Sequence, residues 1–315
     1  MKKLNIKLFA MLFVAASLLV SCASKPKAAP KATLTRTDSR LFWRIDGTDA
    51  SGNPSTVYIQ GTFHLGDERI FPLSEEVINA FQNADRWAGE MSTQAYIDLA
   101  SMSDVLNAPN PDGKLVTDYL TEDEIAFLTS VYGDALPMLA TLEPWQMSNG
   151  LSVLSFVNTG LNAQYGLDNS FVATLSQMGK EWEGMDELQV QLDVLMYGNY
   201  DEQVEMLKDN ILMLTDEKLS KLNDEITVGL YEAYVANDAD KMLELLNTEV
   251  DFEGRNEKLY DAYNKLVFET RNKDWAVDIA NYLEEGGTTF IFVGSGHCLG
   301  DVSIFEFLKK NGTIK

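Results

Sequence analysis

The chain has 315 residues, with 25 basic against 48 acidic side chains and a formal net charge of −23. A surface this acidic repels phosphate backbones, so no nucleic-acid partner is expected, and the charge serves solubility or attracts cationic partners. With two cysteines, one of them in the leader region described next, a packed core rather than disulfides must hold the fold.

Taken in chain order, the first residues read as an export signal. Lys2, Lys3 and Lys7 give a positive start, Leu8 to Val20 an apolar run, and Leu19-Val20-Ser21-Cys22 a lipobox. The run is too short to span a bilayer as a helix. Residues 1–21 are therefore expected to be a signal peptide, with Cys22 the lipidated N-terminus of the mature chain. Residues 22–40, rich in Lys, Pro and Ala as far as Ala32, read as a tether. The expected location is outside the cytoplasm, with the chain lipid-anchored to a bacterial membrane on the periplasmic or outer-membrane face.

Residues 41–315 are the right length for one domain. Leu41–Ile45 and Ser55–Gln60 are β-branched and aromatic, and the turn formers between them make a hairpin. The second strand runs into Gly61-Thr62-Phe63-His64. Ser74 caps a helix reaching about Ala84, and Arg86–Met91 is a short strand that carries Glu90. From about Gln94 to Leu283 the pattern is mainly helical, with apolar residues at three and four spacing through Asp201–Leu222 and Ile226–Leu246. Lys180–Gly184 is a further short strand, and Arg271–Leu283 a helix stopped by Gly286-Gly287. Thr288–Val293 is the clearest buried strand and leads straight into Gly294-Ser295-Gly296-His297. A last helix covers Val302–Lys310. The expected fold class is α+β: a mixed sheet formed by N- and C-terminal strands, with a large, mainly helical middle region.

His64 and His297 are the only histidines, and each lies three residues after a glycine at a strand exit. Strand exits are where sheets of this kind place ligand-binding groups, and neutral imidazole ligates divalent metals well. Two histidines do not complete a metal site, so carboxylates must contribute. Glu90 is a candidate ligand or general base. Asp168 is a candidate ligand or a residue orienting a histidine, unless it only caps the helix from Asn169. Arg271 is a candidate for stabilising a developing oxyanion, unless it is a surface partner of Asp274. Cys298 is poorly placed as a nucleophile, because His297 beside it points to the opposite face. Ser295 lacks a Gly-x-Ser-x-Gly elbow.

These residues carry a resemblance. Tyr58-Ile59-Gln60-Gly61-Thr62-Phe63-His64-Leu65-Gly66, Phe71-Pro72-Leu73, Ala84-Asp85-Arg86 and Glu90 resemble the opening blocks of the TraB/GumN family. Pro144-Trp145, Gly166-Leu167-Asp168, Gln191-Leu192, Arg271-Asn272 with Trp275, and Val293-Gly294-Ser295-Gly296-His297 with Gly300 resemble its later ones. The resemblance implies an α+β domain of the kind found in the Tiki proteins, erythromycin esterase and the ChaN haem-uptake protein. The Tiki relatives are membrane-tethered metalloproteases that depend on two Gly-x-x-His motifs and a Glu. Carried over, it implies a lipid-anchored metal-dependent hydrolase, possibly a peptidase. Its metal residues would be His64, His297, Glu90 and Asp168, with Glu90 and Arg271 in catalysis. The cofactor would be a divalent metal (Zn, Mn or Co), and the substrate a peptide or protein. The alternative is a binding lipoprotein that captures a peptide, haem-like or metal ligand without turning it over. Two positions depart from the family pattern: Gly184-Met185-Asp186 stands where Gly-Leu-Glu is usual, and Cys298 where an apolar residue is usual.

Overall fold

The computed structural model describes residues 31–157 and 159–315. The expected signal peptide, Cys22 and the tether as far as residue 30 lie outside the described residues. No described helix is long and apolar enough to cross a membrane.

The fold is α+β, built on a six-stranded sheet. Its strands are β1 (Thr33–Arg36), β2 (Phe42–Thr48), β3 (Pro54–Thr62), β4 (Arg86–Gly89), β5 (Glu183–Gly184) and β6 (Gly287–Gly294), and the spatial order is β1-β2-β3-β6-β4-β5. The first three pair antiparallel, and β3, β6, β4 and β5 run parallel. The N- and C-terminal strands thus interleave, and β6 inserts between β3 and β4. Its run of Phe290, Ile291, Phe292 and Val293 is buried throughout, as a strand covered on both faces must be. Phe81 and Phe171 pack on Phe290, and Phe171 also packs on Phe292. Full burial of each such ring contributes roughly 1.5–3 kcal/mol.

The sheet starts earlier than expected. Thr33–Arg36 pairs with Trp43–Asp46, and Ala32 bridges to Ile314, so the folded region includes part of the span read as tether. This strand holds one apolar residue among polar ones, a pattern too short to register in sequence. The helical middle is also divided differently. The breaks fall at Asp216, whose side chain caps helix Glu217–Val235 by accepting from the Lys218 and Leu219 N–H groups, and at Asn237, which adopts positive φ. A second, smaller core gathers Val116, Leu128, Leu136, Met147, Leu151, Leu207 and Ile211 inside the helical part.

Three parallel strands end side by side. Thr62 of β3 stands opposite Gly294 of β6, and Gly89 of β4 opposite Phe292 of β6. This register places the exits that carry His64, Glu90 and His297 along one end of the sheet.

Candidate functional site

A cavity of about 1050 Å³ opens at that end of the sheet. His64, Glu90, Asp168, Arg271 and His297, the five site residues expected from sequence, all line it. The two histidines, which follow similar motifs, stand in different surroundings.

His64 leaves β3 into a loop stitched down by backbone bonds. Phe63 O accepts from Leu167 N at 3.0 Å, and Gly66 pairs with Asn162 in both directions at 3.1 and 2.8 Å. These bonds bring the start of helix Leu167–Gln177, with Asp168 in its first turn, beside the imidazole. Gly166 is required at the junction, because a Cβ there would lie 2.4 Å from the His64 carbonyl oxygen. Asp168 makes no capping bond. Its Oδ2 meets His64 Nδ1 at 3.0 Å, so it orients the histidine and does not cap the helix. The hydrogen bond that Nδ1–H donates to Asp168 raises the imidazole to about 9, against partial burial. The side chain is 69% exposed, and its Nε2 has no hydrogen-bond partner among the described residues. Two buried polar atoms of this cavity's lining, Asp168 Oδ1 and Thr62 Oγ1, have no hydrogen-bond partner.

His297 is buried and held at both nitrogens. Arg271 Nη1 lies 3.3 Å from its Nε2, and Asn272 Oδ1 lies 2.7 Å from its Nδ1. An arginine can only donate, so Nε2 is the acceptor and Nδ1 carries the proton. Asn272 keeps this orientation because its Nδ2 donates to the Val302 carbonyl at 2.7 Å. Burial, with Arg271 and His64 nearby, lowers His297 to about 4, so it is neutral at neutral pH. Its ring packs against Trp275 with centroids 4.4 Å apart.

Arg271 is the hub. The helix Glu257–Asn264 continues through a π-helical turn, Lys265–Thr270, into helix Arg271–Glu285. That widened turn delivers the arginine inward, where it is buried. Its Nη2 donates to Glu90 Oε2 at 2.5 Å and its Nε to Asp186 Oδ2 at 2.8 Å, while Nη1 also reaches the Val267 carbonyl. The guanidinium stacks over Trp275, 4.6 Å from the ring centre. A surface pairing with Asp274 is therefore ruled out. Glu90 also accepts the Gly294 N–H at 2.9 Å. Burial opposes its ionisation, but the positive charges of His297, Arg271 and His64 and the Gly294 N–H outweigh it, bringing its carboxyl to about 2. Because His297 is neutral above about 4, the charges that act on Glu90 at neutral pH are those of Arg271 and His64.

Asp186 is the member that sequence reasoning did not place. It accepts from Arg271 Nε, from Trp275 Nε1 at 2.6 Å and from Gln191 Nε2 at 2.7 Å. The signal was the departure at Gly184-Met185-Asp186, which falls where β5 pairs with β4 and the Asp186 N–H bonds the Glu90 carbonyl. Cys298 is buried with its thiol pushed upward by burial, which marks it as packing.

The four metal candidates do not fit a divalent ion as placed. No three described His, Cys, Asp or Glu residues are grouped to hold one. The lone pairs of His297 Nε2 and Glu90 Oε2 that would ligate an ion receive N–H groups from Arg271. A guanidinium already stands as the cation at that point, and a second positive charge beside it is opposed.

An uncharacterized protein of Treponema pallidum (strain Nichols) is 25% identical over 308 residues, covering 94% of this chain and 88% of that protein. No solved structure matches the chain. Over residues 41–314 the chain matches the model of the TraB/PrgY/gumN family, and it belongs to that family.

Proposed function

We propose that the protein is a hydrolase whose proton-handling pair is His64 with Asp168. The observation that carries this reading is the contrast at His64: one nitrogen is fixed by a carboxylate at 3.0 Å, and the other is unpaired on an exposed ring that lines a large cavity. In its neutral form His64 takes a proton from water at Nε2 as the water oxygen bonds to the substrate's carbonyl carbon. It then returns that proton to the leaving group as the scissile bond breaks. Asp168 holds Nδ1–H and stabilises the imidazolium, while Arg271, Glu90 and His297 form a rigid floor. Arg271 is a positioning residue in this reading, because its guanidinium is committed to Glu90, Asp186 and His297.

The metal-dependent form of the reading, carried by the family resemblance, requires Arg271 to withdraw from His297 and Glu90 before an ion can bind. A lipid anchor at Cys22, if formed, would hold the domain at a membrane surface. The test is a screen of chromogenic esters and amides with and without chelator. The expected result is turnover that survives chelation and falls about 10²–10⁴-fold in His64→Asn. Turnover unchanged in His64→Asn would overturn the assignment.

A further inference from the structure

The cavity's lining is of two chemical kinds: polar groups led by His64, Asp168 and Glu90, and a larger apolar share built by Phe63, Leu161, Leu230, Met242, Leu246 and Phe268. Its volume of about 1050 Å³ is at the upper limit of small-molecule sites, roughly 300–1,000 Å³. The edge strands of the sheet, β1 and β5, contribute nothing to this lining. Strand addition, which reads an extended peptide through its backbone, is therefore not available in this cavity. The net charge of −23, with Asp168 and Glu90 in the lining, disfavours an anionic head group.

We infer that the cavity takes a neutral single-chain amphiphile, an ester or amide of a fatty-acyl chain. The chain lies against the apolar wall, and the head sits at the His64–Asp168 pair. The inference rests on the hydrolase reading for turnover but not for binding. In the reaction the water oxygen bonds to the acyl carbon, the ester or amide bond breaks, and the water proton passes through His64 to the leaving alcohol or amine. The released carboxylate meets Asp168 and Glu90, which favours its departure.

Two measurements test this on the full chain. N-phenyl-1-naphthylamine, a neutral apolar fluorophore, is expected to bind one to one and to be displaced by dodecanol. Its affinity should fall at least tenfold in Leu246→Glu and in Leu230→Glu, with circular dichroism verifying the fold of each. Hydrolysis of p-nitrophenyl esters from acetate to decanoate should gain in kcat/KM by up to about fourfold per added methylene. Ester turnover with no fluorophore binding and no chain-length dependence would overturn the ligand class while leaving the hydrolase reading intact. Fluorophore binding with dodecanol displacement, but no turnover of any ester, would support the ligand class and remove the hydrolase reading. Laurate displacing the probe as well as dodecanol does would contradict the neutral head.

Discussion

At His64, Asp168 fixes one nitrogen and raises the imidazole to about 9, so the neutral base is a small fraction near pH 7 and grows as pH rises. Turnover should therefore climb with pH along a limb near pH 9. Asp168→Asn should move that limb down toward 6.5 and lower the plateau about tenfold or more. A limb that stays near 9 in Asp168→Asn would separate the pair. The buried groups give the opposite trend in stability. His297 is lowered to about 4 and Glu90 to about 2, each below its value in an unfolded chain. Between pH 6.5 and 4 the unfolded state takes up the His297 proton and the folded state does not; between 4.5 and 2 the same holds for Glu90. Stability from both is complete above about pH 6.5 and is lost as pH falls. The melting temperature should therefore drop steadily from pH 7 to pH 3, and a flat profile would contradict the arrangement. His64 contributes in the reverse sense, losing stability as pH rises through about 9, but its exposed ring makes that term small.

At the scale of elements, the π-turn before helix Arg271–Glu285 and the short pairing of β4 with β5 bring one guanidinium between two carboxylates. Removing a partner from such a buried cluster leaves an uncompensated charge, at a cost of about 3–5 kcal/mol. Arg271→Met should destabilise by that order in chemical denaturation; a change below about 1 kcal/mol would show that the cluster is dispensable. The loop holding His64 makes a different prediction. Gly166→Ala places a Cβ 2.4 Å from the His64 carbonyl oxygen, so the histidine and Asp168 must part. The fold should survive while the His64 pKa drops toward 6.5, and an unchanged pKa would mean that the loop accommodates the methyl without separating them. The strands that end at the site were legible because Val57–Ile59 and Phe290–Val293 are continuous apolar or aromatic runs, the first followed by Gln60-Gly61 and the second closed by Gly294. The helix breaks were less so, because Asp216 and Asn237 interrupt an unbroken amphipathic pattern with capping and backbone chemistry that periodicity does not register.

At the scale of the molecule, the register of β3, β6 and β4 explains why residues separated by more than two hundred positions meet. Thr62 lies opposite Gly294, and Gly89 opposite Phe292. The sequence names His64, Glu90, Asp168, Arg271 and His297, because their positions at strand and helix ends are local properties. It does not reveal that Arg271 reaches His297 and Glu90, because that contact depends on the packing of a helix across the sheet and on a π-turn. Two similar Gly-x-x-His motifs therefore read as a matched pair, while the fold gives one an open nitrogen and locks the other between Arg271 and Asn272.

The presence of only two histidines makes the central claim directly measurable by long-range ¹H–¹⁵N NMR on histidine-labelled protein. His64 should titrate near pH 9, and His297 should remain a neutral Nδ1–H tautomer down to about pH 4. Addition of stoichiometric zinc, manganese or cobalt should leave the His297 signals in place. Matching titration of the two rings, or a joint shift of both on one equivalent of metal, would contradict the division of roles and restore a shared metal centre.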